Sequence, residues 1–392
     1  MYDNIATSLR KNWLEKLLLF LIASCLIVVS VLFGIFQAQT VPNSNALIPK
    51  RCDYNRDRYF TAIQSSHAGL SILSQSNISL EIEYPFFTKP AYSLWIRDRK
   101  QIWTLDIQNG LIYISQTINS KVIGLISLFI ANCNGPYNWA YNQQAYVNPI
   151  TQKLSGQVWV ACSSSNKTII IETDTYSVIG NIYTPPDIIN SYYPSAVAVG
   201  PKYGFVVYNP NIWYAYSTQP PFLVVKSGQT PGTSTSTMTL VWRGNDNDNN
   251  ADLYMATDTP SIARIGWNPT FNVEKVDLLP YNPIDITTSL NEEYLYIIFQ
   301  TNNLLYVYET YGMTKVTTSG PSSVVLSKPN SIAIGRESAE MIVTDFTSFN
   351  TVLLALNPDN GLLTNTPPIF IYSGNETSDS IRFVQECPCN FC

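Results

Sequence analysis

The sequence predicts an all-β protein built from repeated small antiparallel sheets. Three observations carry that prediction. Hydrophobic residues make up 45% of the chain, charged residues only 13%, and Tyr occurs 25 times. Such a balance is strand composition rather than helix composition. Short alternating runs separated by Gly or polar turns fill the chain. They are clearest at 328–361, where 331–334, 341–345 and 352–357 are followed by 369–372, as four hairpin-linked strands would be. Finally, Pro90, Pro194, Pro283 and Pro329 mark comparable turns one or two units apart, at a period of ~40–50 residues. A sheet of four short strands cannot bury both faces alone, so the units must stack on one another. The predicted architecture is a six-bladed β-propeller, or a seven-bladed one if residues 53–84 complete a further sheet. A flat β-sandwich would need no such period.

Taken in order, residues 1–16 read as a cytoplasmic tail and 17–37 as a transmembrane signal-anchor. The stretch 17–36, LLLFLIASCLIVVSVLFGIF, holds no charge. At ~1.5 Å per residue it is long enough to cross a hydrocarbon core of ~30 Å. Arg10, Lys11 and Lys16 precede it and no charge follows until Lys50. That asymmetry keeps the N-terminus inside and sends the C-terminal part outside. A cleaved signal peptide has a shorter apolar region and a small-x-small site. Phe36-Gln37-Ala38 puts a bulky residue in that site, so the anchor is expected to be retained, with cleavage near Gln39 as the alternative. Residues 38–85 begin polar and Pro-containing, as a stalk or linker. They end in 77–83 (NISLEIE), a strand expected to close the ring by joining the last sheet.

The propeller is expected over 86–386. Its units run from Lys89, around Gly156, and from Tyr193, Thr237, Asn282 and Lys328. Asn109-Gly110 is a strong hairpin signal. Beyond the N-terminus no stretch has the period of an amphipathic helix. Residues 387–392 form a Cys-rich tail.

The runs Pro329-Asn330-Ser331-Ile332-Ala333-Ile334 and Met341-Ile342-Val343-Thr344-Asp345 carry a resemblance. With echoes at 253–258 (LYMATD) and 158–162 (VWVAC), they resemble β-propellers of the YVTN, NHL and gluconolactonase-like type over about 86–372. The resemblance implies the fold and is nearly silent on function, because propellers host unrelated activities.

Charge and motif content exclude several functions. The formal net charge is -5, and no basic stripe of the kind that tracks nucleic acid is present. No phosphate-cradling GxxxxGK[ST] loop and no His-based zinc motif occur. The single His67 lies outside the repeats, so a Ser-His-Asp system has no natural place. No catalytic residue is assigned.

The cysteines point to an exported domain. Cys25 falls in the apolar stretch, leaving Cys52, Cys133, Cys162, Cys387, Cys389 and Cys392. An even number outside a membrane suggests disulfides. Cys52 is expected to reach the C-terminal cluster, because propeller ends lie close together. Three thiolates without a His make a poor closed zinc site, which wants four ligands. Asn77, Asn166 and Asn375 head Asn-x-Ser/Thr acceptors for glycosylation.

Three places could carry chemistry. In 244–252 (GNDNDNNAD), Asp246, Asp248, Asn250 and Asp252 alternate, so a tight loop can turn several oxygens on one calcium ion. The stretch looks like the calcium-binding hairpin of integrin-type propeller blades. It departs from that pattern at Gly244, where the first acidic ligand belongs, and at Asn249, where Gly makes the turn. The competing reading is a polar turn rich in Asn and Asp. Gluconolactonase-like enzymes hold a metal on the propeller axis. Asn330 matches the Pro-Asn of one such position, Asp285 is a candidate for a second, and the first-blade Glu of that family has no counterpart after Pro90. Last, Tyr137, Trp139 and Tyr141 in the expected loop 134–146, with Tyr192 and Tyr193, suit contact with protein or carbohydrate. Most other aromatics belong between blades.

The expected function is recognition or structural display by a membrane-anchored ectodomain on a cell or enveloped-particle surface. A metal-dependent, lactonase-like hydrolase is the alternative.

Overall fold

The computed structural model describes most of residues 58–384, with short breaks, the longest at 80–87, 230–238, 244–251 and 320–327. The described residues form seven four-stranded antiparallel sheets. Six use consecutive strands: blade 1 (90–127), blade 2 (136–183), blade 3 (193–229), blade 4 (239–278), blade 5 (283–319) and blade 6 (329–373). These are the six blades expected from the repeats. A seventh sheet completes the ring. Its innermost strand is Thr377–Val384, followed outward by Arg58–Gln64, Gly69–Ser74 and Ile78–Ser79. The innermost strands of neighbouring sheets adjoin all the way round, with Thr377–Val384 between Pro329–Gly335 and Pro90–Ile96.

Two expectations are corrected here. The stretch 38–85 is not a linker throughout, since strands begin at Arg58. Nor does 77–83 close the ring: the residues described there, Ile78–Ser79, are a strand at the outer edge of the seventh sheet. Closure falls to Thr377–Val384, which pairs with Arg58–Gln64 from Arg58 opposite Val384 to Gln64 opposite Thr377. Residues 1–37, with the expected anchor, lie outside the described residues. Among the described residues no helix is long and apolar enough to cross a membrane.

Five innermost strands share a device. Pro90, Pro136, Pro194, Pro283 and Pro329 each precede a one-residue slip in register against the second strand. Proline has no N–H to give a ladder, so a bulge is where a sheet tolerates it. The four prolines whose spacing stood out in the sequence, Pro90, Pro194, Pro283 and Pro329, therefore each mark the start of an inner strand.

The core lies between sheets. Trp103, Trp159 and Trp213, on second or third strands, are all but fully buried. Trp103 packs with Ile169 and Ile171 of the next blade, and Trp159 with Val197 and Val206 of the next. A fully buried apolar side chain of this kind contributes roughly 1.5–3 kcal/mol. At two of these seams the indole N–H is paired. The Trp103 and Trp159 indole N–H groups donate to Gln101 Oε1 (3.1 Å) and Gln157 Oε1 (2.8 Å). The same glutamines donate onward to Tyr176 OH and to the Thr218 carbonyl, each at 2.8 Å, in the following blade.

An antiparallel meander gives the ring two faces. The upper face carries turns joining second to third strands and the links between blades. The lower face carries turns joining first to second and third to fourth strands. Arg58 opposite Val384 puts both ends of the ring's chain on the lower face.

Candidate functional site

The upper face of blades 1–3 is the best-built surface among the described residues. Strand Val122–Ser127 runs into a turn at 128–133 closed by backbone bonds from Asn132 N to Phe129 O and from Cys133 N to Leu128 O, both 2.9 Å. A disulfide joins Cys133 to Cys162, with Cα atoms 5.2 Å apart. Lys167, paired in register with Cys162, sends its ammonium to the Ala131 carbonyl at 2.5 Å. Burial pulls its pKa below the usual lysine value. The Ser163 hydroxyl donates to Gly135 O at 2.8 Å, and Asn134 N donates to Ser165 Oγ at 2.6 Å. The turn is thus held from several sides, yet its tip is bare. Phe129 is 72% and Ile130 85% exposed. Large apolar side chains on a braced turn are unusual unless something covers them. From 122 to 152 the sequence has no charged residue, so the turn itself is uncharged, while Asp187 stands exposed on the link from blade 2 to blade 3.

On the same face the link from blade 2 to blade 3 exposes Ile189 and Tyr193. Asn209 donates to the Tyr193 hydroxyl at 2.7 Å and orients it. Asn138 Oδ1, on the inner strand of blade 2, accepts Val197 N of blade 3 at 3.3 Å and ties the two blades together.

The structure sorts the expected contact aromatics. Residues 136–147 are not a loop but the long inner strand Pro136–Val147. Trp139 is buried between blades 1 and 2, and Tyr141 packs partly against the same core. The alternation in PYNWAY is a strand pattern, and its Asn and Gln gave it the look of a loop. Tyr137 and Tyr193 stay exposed, and Tyr192 packs partly beneath, against the core between blades 2 and 3. Phe129 and Ile130 were missed. The sequence signal was two adjacent large apolar residues shortly before Cys133 and Gly135, in a stretch with no charge.

The other candidates read as follows. Asp246, Asp248 and Asn250 lie outside the described residues. Asp252 opens the second strand of blade 4 almost buried, with Oδ1 3.0 Å from Arg264 Nη2. Asp285 spends its carboxylate on structure. Oδ2 accepts Ser331 Oγ and Ile332 N of blade 6, each at 3.1 Å, and Oδ1 accepts Ile286 N at 3.0 Å. It does for blades 5 and 6 what Asn138 does for blades 2 and 3. Asn330 is half-buried on the adjoining strand. Among the described residues no three His, Cys, Asp or Glu side chains gather as a metal would need. Asn166 sits in a left-handed turn on the upper face, while Asn77, Asn375, Cys52, Cys387, Cys389 and Cys392 lie outside the described residues.

Fold and face together define a β-propeller. No protein-family model matches the chain, and no curated protein matches it in sequence. Solved structures do match in fold. A protein from Bacteroides fragilis described as a candidate 6-phosphogluconolactonase has a TM-score of 0.62 at 11% identity, over 86% of this chain and 100% of its own. A counterpart from Bacteroides uniformis, described likewise, reaches 0.60 at 13%, over 84% and 100%. A protein of unknown function from Desulfotomaculum acetoxidans reaches 0.60 at 10%, over 83% and 99%. At such identities the likeness is one of fold alone.

Proposed function

We propose that this chain is a membrane-anchored propeller whose upper face, over blades 1–3, binds a protein or glycan without chemistry. The observation that carries the reading is the braced, uncharged turn at 128–133 with Phe129 and Ile130 exposed at its tip. Exposed Tyr137, Ile189 and Tyr193 extend it with ring and aliphatic surface. Rigid apolar anchors cost little entropy on binding, which is how recognition surfaces concentrate affinity. Residues 17–37 supply the anchor and 38–57 the connection to Arg58. Calcium at Asp246, Asp248 and Asn250 remains part of the proposal, as a brace for the turn joining the first two strands of blade 4. A lactonase-like centre is the weaker reading, because Asp285 already spends its carboxylate oxygens on Ser331, Ile332 and Ile286.

The test is photo-crosslinking on full-length chain displayed at a cell surface. A crosslinker at Tyr137 or Tyr193 should give a discrete product that Phe129→Asp with Ile130→Asp abolishes. A crosslinker at Gln152, on the lower face, should not give that product. Products of equal yield from both faces, or a product indifferent to the double substitution, would refute upper-face recognition.

A further inference from the structure

The lower face holds a second exposed apolar feature. The inner strand of blade 2, Pro136–Val147, has 12 residues, against 7 in Pro90–Ile96 and Tyr193–Val199. After Asn142 its register jumps, and Tyr146 and Val147 pair again with Ser155 and Leu154. The result is a hairpin carried beyond the body of the blade. Its tip is firmly built. Asn148 Oδ1 accepts Ile150 N and Thr151 N at 2.9 and 3.1 Å, and Asn148 Nδ2 donates to Glu172 Oε1 at 2.9 Å. Gln219 of blade 3 braces the stem, accepting Val147 N at 3.2 Å and donating to Ala145 O at 3.0 Å. Despite that bracing, Ile150 is 90% exposed, Leu154 59% and Val147 40%. Leu223, four residues after Gln219 and on the same face, is 63% exposed.

Charge surrounds these side chains. Among the described residues, the lower-face turns of blades 1–3 expose Arg99, Lys100, Lys121, Lys153 and Lys202. The exposed acid there is Asp174, and it pairs with Arg99. Aliphatic tips ringed by cations suit an anionic bilayer surface, where the tips enter the headgroup boundary and the lysines meet lipid phosphate and carboxylate. This is also the face at which the chain joins the ring, since Arg58 starts there. The 57 residues before Arg58 include the uncharged run 17–36.

We infer that the hairpin at 147–154, with Leu223 and the neighbouring lysines, rests on an anionic lipid bilayer and orients the upper face away from it. The inference builds on the anchor reading above, and its test separates the two. Full-length chain is mixed with phosphatidylcholine vesicles with or without phosphatidylserine, floated on a density gradient, and followed by amide hydrogen exchange. Flotation with neutral vesicles reports the anchor. Exchange over 147–155 reports the hairpin, with the equally bare turn 128–133 on the opposite face as internal control. Slowing of 147–155 by about tenfold on phosphatidylserine vesicles is expected, with 128–133 unchanged. Ile150→Ser with Leu223→Ser, or Lys153→Glu with Lys202→Glu, should remove the slowing without altering exchange at 128–133. Flotation without slowing keeps the anchor and overturns the inference. Slowing without flotation on neutral vesicles rejects the anchor and keeps the lipid contact. Equal slowing of both segments, or slowing that persists without vesicles and reports a protein contact, overturns it as well.

Discussion

The seam between blades 2 and 3 and the seam between blades 4 and 5 meet one demand with different chemistry. In both, a large ring on the second strand of one blade must reach the outer turn of the next. At the first seam the parts are neutral: Trp159, Gln157 and the Thr218 carbonyl. Trp159 lies so close to Gly204 that a Cβ there would come within 2.4 Å of the indole ring. At the second seam the Tyr254 hydroxyl donates to the Thr310 carbonyl. Beneath it the parts are charged: Asp252 holds Arg264, which donates to Tyr311 O at 2.8 Å. Place in the repeat therefore sets the task, and residue type is free to vary so long as the task is done. That freedom is how fold outlasts sequence in this architecture.

Alkali should give the largest effect and act on both seams. Burial pushes up the phenols of Tyr208 and Tyr216 beside the first, and burial with a hydrogen bond to Asp277 pushes up Tyr308 beside the second. The fold keeps these protons that the unfolded chain releases near pH ~10, so their contribution is whole below that pH and is lost above it. Lys167 works the other way, being lowered by burial. Circular dichroism against pH should show cooperative unfolding on the alkaline side, and a flat profile would contradict the burial of these rings.

Trp159→Ala should come next, costing about 3–5 kcal/mol by urea unfolding. Asp252→Ala leaves Arg264 the longer carboxylate contact with Glu274, at 3.5 Å, at a site partly open to water, and about 1–2 kcal/mol is expected. High salt should change that loss and leave the Trp159→Ala loss unchanged, which is the sharpest way to tell the seams apart. Gln157→Leu strands the Trp159 N–H and the Thr218 carbonyl for about 1–2 kcal/mol. Equal salt sensitivity in the three variants would erase the distinction between a neutral and a charged seam.

Local order was legible in the sequence and distant pairing was not. The prolines showed where inner strands begin, because their missing N–H restricts them to such places. Pro136 escaped notice because Asn134, Asn138, Asn142, Gln143 and Gln144 mask an alternating strand. The seventh sheet was allowed for but wrongly closed, since no local period can say that Arg58–Gln64 lies beside Thr377–Val384. Cys133 and Cys162 stood among fifteen possible pairings until the turn at 128–133 brought them together. Asp285 looked like a ligand because it fell where the gluconolactonase-like resemblance places an axial one, and its hydrogen bonds to Ser331 and Ile332 of blade 6 give it a structural task.

The mixed parentage of the seventh sheet also sets the timing of the protein's birth. Of the described strands, those from 58–79 leave the ribosome first, yet their inner partner, Thr377–Val384, leaves last. Throughout the synthesis of the six blades between them the nascent chain is an open arc that cannot seal, the state most exposed to wrong partners. Ring closure is then a single late event with the longest loop in the molecule to bring together. A ribosome stalled a few codons before 377 would release a chain that has every blade but one and no way to shut.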